Sequence, residues 1–154
     1  MKSQKEWFSE QIRKLQNGMY KISFSILKNE YDAEDAVQEC IYKAYKNLDK
    51  LVDKKKFKSW LYQILVNTCY EFANNKVNHL EIETQEIEDK KDDIDNKMTV
   101  WNAVQKLDQP YRTTITLFYY EDLSIKQISE ITNIKQDAIK KQLSRGREKI
   151  KEVL

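Results

Sequence analysis

Hydrophobic residues recur every three or four positions along most of the chain, which is the spacing of helices that bury one face. The first such segment spans residues 7–27, and its apolar positions are Phe8, Ile12, Leu15, Met19, Ile22 and Ile26. Because glycine disfavours a helix interior, the pattern predicts either one helix or two helices broken near Gly18. A turn is expected at residues 28–30.

The second segment, residues 31–51, reads YDAEDAVQECIYKAYKNLDKL and has the most regular pattern of the chain. Its apolar face consists of Ala33, Ala36, Val37, Cys40, Ile41, Ala44, Tyr45 and Leu48. We expect Asp32 to be the N-cap, with Asp35 three residues later, because a carboxylate at this position accepts hydrogen bonds from free N–H groups. The opposite face consists of Glu34, Asp35, Gln38 and Glu39.

A basic loop, residues 53–59, precedes the third helical segment, WLYQILVNTCYEFANN. Its predicted buried face consists of Trp60, Leu61, Ile64, Leu65, Thr68, Cys69 and Phe72. Its polar edge consists of Gln63, Asn67, Tyr70 and Asn74. The two cysteines of the chain, Cys40 and Cys69, both lie on apolar stripes, which predicts reduced thiols in the core.

Composition favours an all-α fold. The 154 residues include only two glycines and one proline, and this length suits one domain or two small ones. A mean hydropathy of -0.79 and the lack of a long apolar run argue against a membrane span and against a secretory signal, so we expect a cytoplasmic protein. One histidine and no Gly-rich phosphate loop predict no metal, no cofactor and no enzymatic activity.

The net charge of +2 conceals three blocks of charge. Residues 1–80 carry 14 basic and 10 acidic side chains, residues 81–97 carry 3 and 8, and residues 135–151 carry 7 and 2. This order favours two modules that face a polyanion, joined by a self-repelling, flexible acidic linker. Ordinary solvated helix faces would carry the same charges, so the charge pattern alone does not distinguish the two interpretations.

The last module begins with a short helix whose apolar face holds Val100, Trp101, Val104 and Leu107. The stretch SIKQISEITNIKQDAIKKQLSRGREKIK, residues 124–151, follows. Ser124 and Gln127 have the spacing of a capping box, and Asn133 stands where the chain needs a left-handed residue. Two short helices around a tight corner are predicted, which is a helix-turn-helix.

The second helix of this motif has an outward face without a core role. That face consists of Lys135, Gln136, Asp137, Lys140, Lys141, Ser144, Arg145 and Arg147. Long cationic and amide side chains on a protruding helix suit a DNA major groove, where Arg and Lys bind guanine and Gln binds adenine. The alternative is an αα-hairpin with a solvated basic face.

These motifs resemble those of the bacterial sigma factors. DLSIKQISEITNIKQDAIKKQLSRGR resembles region four of that family, and YKISFSILKNEYDAEDAVQECIYKAYKNL with FKSWLYQILVNTCYEF resembles region two. The presence of these two regions alone is typical of the extracytoplasmic-function group. Departures from the family pattern are Asn133 for the corner glycine, Lys135 for a Ser or Thr, and Gly146 for an alanine; the residues after Asn67 also differ.

The resemblance implies two small helical domains, region two at residues 1–76 and region four at residues 98–154, joined by the linker at residues 77–97. It implies that a surface of region two binds the clamp helices of the largest subunit of core RNA polymerase, through Asp32, Glu34, Asp35, Gln38 and Glu39. It implies that the minus-ten promoter element is bound by Lys56, Phe57, Lys58, Trp60, Gln63 and Asn67. The outward face of the helix-turn-helix, from Lys135 to Arg147, would bind the minus-thirty-five element.

Further partners implied by the resemblance are the flap of the second-largest polymerase subunit and an anti-sigma factor, which would hold the protein at the membrane without direct membrane insertion. Two other functions fit part of the pattern. A stand-alone helix-turn-helix regulator would bind duplex DNA without polymerase. An adaptor bound to polymerase or to an anti-sigma factor would not recognise promoters.

Overall fold

The computed structural model describes residues 2–78 and 99–154, and all regular secondary structure in these two ranges is helical. A front bundle contains α1 (Gln4–Leu27), α2 (Glu30–Lys46) and α3 (Phe57–Asn78), with 3-10 turns at Leu48–Lys50 and Lys54–Lys56. A rear bundle contains α4 (Val100–Gln105), α5 (Tyr111–Ile115), a π-helical turn (Thr116–Tyr120), α6 (Ile125–Thr132) and α7 (Gln136–Val153). The predicted all-α fold with two helical domains is confirmed. The predicted linker lies largely outside the described residues.

Helix α1 runs without a break through Gly18, which decides between the two predicted alternatives. It begins with a capping box formed by Ser3 and Glu6 and ends at Lys28, which adopts the left-handed conformation with φ 56°. The next residue, Asn29, caps α2: its side-chain oxygen accepts a hydrogen bond from the N–H of Asp32 at 2.9 Å. The prediction of Asp32 as the N-cap was therefore wrong, because the N-cap lies three residues earlier, at Asn29, and Asp32 lies in the first turn of the helix.

The core of the front bundle lies where α1, α2 and α3 meet, and both cysteines are inside it. Cys40 and Cys69 are free thiols without exposed surface, as predicted. Burial raises the pKa of Cys40 to about 12, and burial raises the pKa of Cys69 to about 11, although a hydrogen bond from Cys69 to Ser23 opposes the shift. The thiolate is the reactive form of cysteine. Because the raised pKa values disfavour the thiolate, both residues act as packing groups in the core.

The rear bundle closes around a contact between α5 and α7. Gly146 of α7 is buried against the Ile115 side chain, and a Cβ atom at this position would lie 2.9 Å from both the Cδ1 and the Cγ1 atoms of Ile115. Glycine thus permits a close approach that the alanine of the family pattern would obstruct. The predicted apolar face of α4 is only partly buried: Val104 is inside, whereas Val100 is 53% exposed.

The two bundles pack against each other. Helix α3 contacts α6, and α1 contacts α5 and the π-helical turn. The buried hydrophobic residues of the front and rear bundles form one continuous core cluster. The described halves of the chain therefore make up one packed body with an internal seam.

We expect Gly146→Ala to lower the stability of the protein. Alanine gains up to about 1 kcal/mol of helix propensity, but overpacking against Ile115 costs about 1–3 kcal/mol, so a net loss of about 1 kcal/mol should follow. Urea denaturation measures it. Glu148→Ala, on the exposed side of the same helix, is the matched control, and adding Ile115→Val should relieve the part of the overlap that involves Cδ1, because valine keeps a γ carbon. A Gly146→Ala variant more stable than the parent would contradict this packing.

Candidate nucleic-acid interface

The corner between α6 and α7 has the predicted geometry. Ser124 accepts from the backbone N–H of Gln127 at 3.1 Å, and the Gln127 side chain accepts from the N–H of Ser124 at 2.9 Å. Asn133 adopts φ 66° in the left-handed region. The hydroxyl of Ser129 donates to the Ile134 carbonyl oxygen at 2.6 Å, which ties the end of α6 to the start of α7. The capping box and the left-handed residue are therefore confirmed.

Helix α7 buries Ile139, Leu143 and Gly146 and leaves its other side open to solvent. All eight residues of the predicted DNA-binding face are exposed. Arg147 differs from the other seven, because its guanidinium donates to the Tyr119 hydroxyl at 3.0 Å. Lys135 precedes the helix without a side-chain cap, as expected where the family has Ser or Thr.

The acidic face of α2 is also accessible, with Glu34, Asp35, Gln38 and Glu39 all exposed. Asp32 differs from these residues because its carboxylate forms an ion pair with Lys76, with 3.1 Å between Lys76 Nζ and Asp32 Oδ2. Tyr31 and Tyr42 are 79% and 61% exposed. The positions 31, 35, 38 and 42 follow the helical repeat, so both rings flank the acidic face. Sequence reasoning missed these tyrosines, although that spacing was visible.

A pocket of about 400 Å³ opens between α2 and α3. It contains two of the predicted minus-ten residues, Trp60 and Asn67. The remaining lining residues are Lys43, Asn47, Lys50, Ile64 and Thr68. Gln63 is exposed but is not among the lining residues.

Lys43 is held in place within this pocket. Its ammonium group donates to the Thr68 hydroxyl at 3.2 Å and pairs with Glu71 at 2.9 Å. No local pattern indicates that Lys43, Asn47 and Lys50 belong with Asn67, because the pocket arises only when α2 packs against α3.

The basic loop before α3 is anchored by aromatic contacts. Phe57 is only 2% exposed, and its ring lies 5.1 Å from that of Trp7 and 5.8 Å from that of Trp60. Lys56 projects into solvent from this anchored turn. Lys58 is half-buried, and its ammonium group donates to the backbone carbonyl oxygen of Glu121 in the rear bundle at 2.9 Å.

An apolar groove of about 320 Å³ lies on the rear bundle, between α4, the π-helical turn and α7. Its lining residues are Val100, Val104, Ile115, Tyr119, Tyr120, Arg147, Ile150 and Lys151. No prediction from sequence covered this groove. The one available signal was Val100, an apolar residue on the stripe of α4 that the bundle leaves exposed.

Within residues 2–78 and 99–154, no group of three His, Cys, Asp or Glu side chains is arranged to hold a metal ion. No helix in those ranges has the length and hydropathy that a membrane crossing requires.

Known protein families match the chain in two parts, one in the front bundle and one in the rear bundle. A family model described as Sigma-70 region 2 matches residues 11–77, and one described as Sigma-70, region 4 matches residues 97–150. The chain is 36% identical over 130 residues to the RNA polymerase sigma factor SigV of Bacillus subtilis (strain 168), covering 82% of this chain and 78% of SigV.

Two further similarities extend over nearly the whole chain. The ECF RNA polymerase sigma factor SigW of Bacillus subtilis (strain 168) is 28% identical over 171 residues, covering 99% of this chain and 91% of SigW. Among solved structures, the sigma factor RpoE from Bartonella quintana, in complex with the anti-sigma factor NepR, has a TM-score of 0.77 and 22% identity. The match covers 94% of each chain and indicates a shared fold.

The left-handed conformation of Asn133 predicts how the stability of the protein changes when this residue is substituted. Asn133→Val should destabilise the protein by about 1–2 kcal/mol, because a side chain other than Asn or Gly strains the left-handed conformation. Asn133→Gly, the matched control, should cost little or nothing. Thermal unfolding followed by circular dichroism measures both. Equal melting temperatures for the two variants would contradict the geometry of the corner.

Proposed function

Because the chain belongs to the extracytoplasmic-function group of the sigma-70 family and directs promoter-specific initiation by RNA polymerase, we propose that its two bundles divide that task. The front bundle binds core polymerase and one opened promoter strand. The rear bundle binds intact duplex DNA upstream. The observation that carries this assignment is the pocket containing Trp60 and Asn67, on a different bundle from the exposed basic face of α7.

The acidic face of α2 is the proposed contact for the clamp helices of the largest polymerase subunit. Within the described ranges, no ion pair involves Glu34, Asp35 or Glu39, so these carboxylates are available to a partner. Tyr31 and Tyr42 extend the surface on both sides. Exposed tyrosines supply much of the binding energy in protein interfaces, so the two rings add apolar contact area around a charged centre.

The pocket between α2 and α3 is the proposed site for a base extruded from the minus-ten element. The Asn67 amide can donate to and accept from a base edge, and Trp60 offers a half-buried ring for stacking. Unstacking a base costs a few kcal/mol, and stacking on an aromatic side chain returns about 1–3 kcal/mol per base. Lys50 and Lys56 supply positive charge for the phosphates, while Phe57 positions the loop from within the core.

Helix α7 is the proposed reader of the minus-thirty-five element. Its exposed face offers Gln136 for adenine and Lys140, Lys141 and Arg145 for guanine or phosphate. Each good bidentate contact contributes about 1–3 kcal/mol of discrimination between bases. Arg147 is tethered to Tyr119, so it belongs to the rim of the apolar groove.

The apolar groove of the rear bundle is the proposed site for the flap of the second-largest polymerase subunit. Its surface is almost wholly apolar, with Arg147 and Lys151 among the lining residues, so it suits an apolar helix with acidic flanks. An anti-sigma factor is a second proposed partner, supported by the likeness to a sigma factor crystallised with one.

The function is tested by run-off transcription with purified core polymerase on a library of genomic fragments. We expect defined start sites that appear only when the chain is added. Start sites that do not depend on the chain would overturn the proposal. Specific binding to a palindromic duplex without polymerase would favour the stand-alone regulator instead.

Asp35→Ala combined with Gln38→Ala should abolish binding to core polymerase, because it removes the centre of the acidic face. Helicity should remain, since both side chains are exposed. Affinity is measured by fluorescence anisotropy of the labelled chain, and helicity by circular dichroism. Gln16→Ala combined with Asp49→Ala, which removes the same chemistry from other exposed sites, is the control. Unchanged affinity of the first pair would remove the assignment.

Asn67→Ala should lower run-off transcription from a duplex promoter about tenfold, roughly the loss of one to two hydrogen bonds to a base. Its affinity for core polymerase should stay unchanged, because the pocket is separate from the acidic face of α2. Asn74→Ala, exposed on the same helix but outside the pocket, is the matched control. Equal transcription by the two variants would contradict a base-binding role for the pocket.

A further inference from the structure

Three aromatic rings connect the pocket between α2 and α3 with the start of α1. Trp60 lines the pocket, and its ring centroid lies 5.8 Å from that of Phe57. The Phe57 ring lies in turn 5.1 Å from that of Trp7, at an interplanar angle of 74°. Because Phe57 is buried in the core, it holds the two half-buried indole rings at a fixed spacing.

The Trp7 ring, at the α1 end of this row, is covered by a lysine. The ammonium group of Lys54 lies 4.8 Å from the centroid of the Trp7 ring. Lys54 is the first residue of the 3-10 turn Lys54–Lys56, whose three lysines are all exposed. The Asp53 side chain caps this turn and accepts from the N–H of Lys55 at 3.0 Å. The turn therefore presents three ammonium groups beside an indole ring.

The positive charge of this turn is not neutralised by ion pairs. Within residues 2–78 and 99–154, no salt bridge involves a lysine of the turn. The carboxylates at the start of α1 have other partners: Glu6 accepts from the N–H of Ser3 at 2.9 Å, and Glu10 pairs with Lys2 at 2.8 Å. The hydrogen bond from Lys2 lowers the pKa of Glu10. The surface around Trp7 is thus available to an anion.

Aromatic rings beside cationic side chains are the combination that binds single-stranded nucleic acid. Bases stack on the rings whatever their sequence, and the phosphates between them attract the cations. A cation–π contact at an exposed site is weak, so Lys54 can leave the Trp7 ring for a phosphate while a base takes its place. This exchange gives up one weak contact and gains a stacked base and a phosphate contact.

The spacing of the two indole rings suits a single strand. Both rings lie against Phe57, at 5.1 and 5.8 Å, so about three stacked nucleotides, which rise by about 3.4 Å each, cover the largest separation that these contacts allow. An unstacked strand needs fewer nucleotides for the same distance. A strand whose extruded base occupies the pocket therefore reaches Trp7 within a few nucleotides.

We propose that Trp7, together with the lysines of the turn Lys54–Lys56, is a second strand-binding position of the front bundle. It stacks one base of the opened promoter strand, a few nucleotides from the base in the pocket, and has no base preference because a ring stacks on any base. This inference rests on the proposed function, since the pocket would hold the first base.

The second position is tested by photocrosslinking of the full chain to a 20-nucleotide single strand that contains 5-bromodeoxyuridine. Ultraviolet light links this base to aromatic side chains in contact with it, and mass spectrometry maps the linked residues. We expect links at Trp7 and at Trp60. Trp101, the third tryptophan of the chain, packs against Tyr120 in the rear bundle with 4.9 Å between ring centroids. It is the internal control and should not be linked.

Substitution of Trp7 separates stacking from packing. By fluorescence anisotropy with the same strand, Trp7→Leu should bind about tenfold more weakly than the parent, a loss of the size expected for one stacked base. Trp7→Phe keeps an aromatic ring and should bind within a few-fold of the parent. Thermal unfolding followed by circular dichroism checks that both variants are folded at the temperature of the binding measurement.

Substitution of Lys54 tests the phosphate contact without touching the core. Lys54→Gln should weaken binding several-fold and should lower the slope of log affinity against log salt concentration by about 0.7, the value for one phosphate contact on a single strand. Lys46→Gln is the matched control, because Lys46 is also exposed and its ammonium group lies 5.3 Å from the centroid of the Tyr42 ring, away from the row. It should leave the slope unchanged.

Three results would overturn parts of this account. The absence of a link at Trp7 would overturn the second position, and a link at Trp60 in the same experiment would leave the proposed function standing. Equal salt slopes for Lys54→Gln and Lys46→Gln would overturn the phosphate contact. Links at Trp7 in a chain that never directs run-off transcription would keep the second position and overturn the proposed function.

Discussion

The burial of helix α3 on several sides is the constraint on which the rest of the structure depends. Leu61 and Leu65 pack into the front bundle, while Tyr62 and Val66, a quarter to a third of a turn around the helix, also have no exposed surface. One neighbouring face could not bury all four residues. The rear bundle covers the second side, with Glu121 bound to Tyr62. The third side of α3, with Trp60 and Asn67, is left to line the pocket.

The sides of α3 that pack against the rear bundle are thus different from the side that lines the pocket. The seam contacts of α3 begin at Lys58 and Tyr62, whereas its pocket residues lie on the side that faces α2.

The rear bundle has two positions at which the packing or the backbone favours glycine, Gly146 and Asn133. Gly146 lets α7 approach Ile115, and Asn133 turns the chain so that α7 leaves the bundle with its basic face outward. Both residues depart from the pattern of the family. Asn133 keeps the geometry of the glycine that it replaces, whereas Gly146 removes a methyl group that this particular packing has no room for. Of these two departures, only Gly146 depends on a residue distant in sequence, Ile115.

The chain alone determined the features that depend on residues three or four positions apart: the helical periods, the capping box at Ser124, the left-handed Asn133 and the outward basic face of α7. Even there, the local pattern indicates the wrong cap, since Asn29 and not Asp32 caps α2. Only the tertiary structure decided that Tyr62 and Val66 are buried, that Lys43 and Asn47 join Asn67, and that Glu121 sits over Gly18. These features join side chains about 20 to 100 positions apart, and no local period records which distant surface will cover a given face.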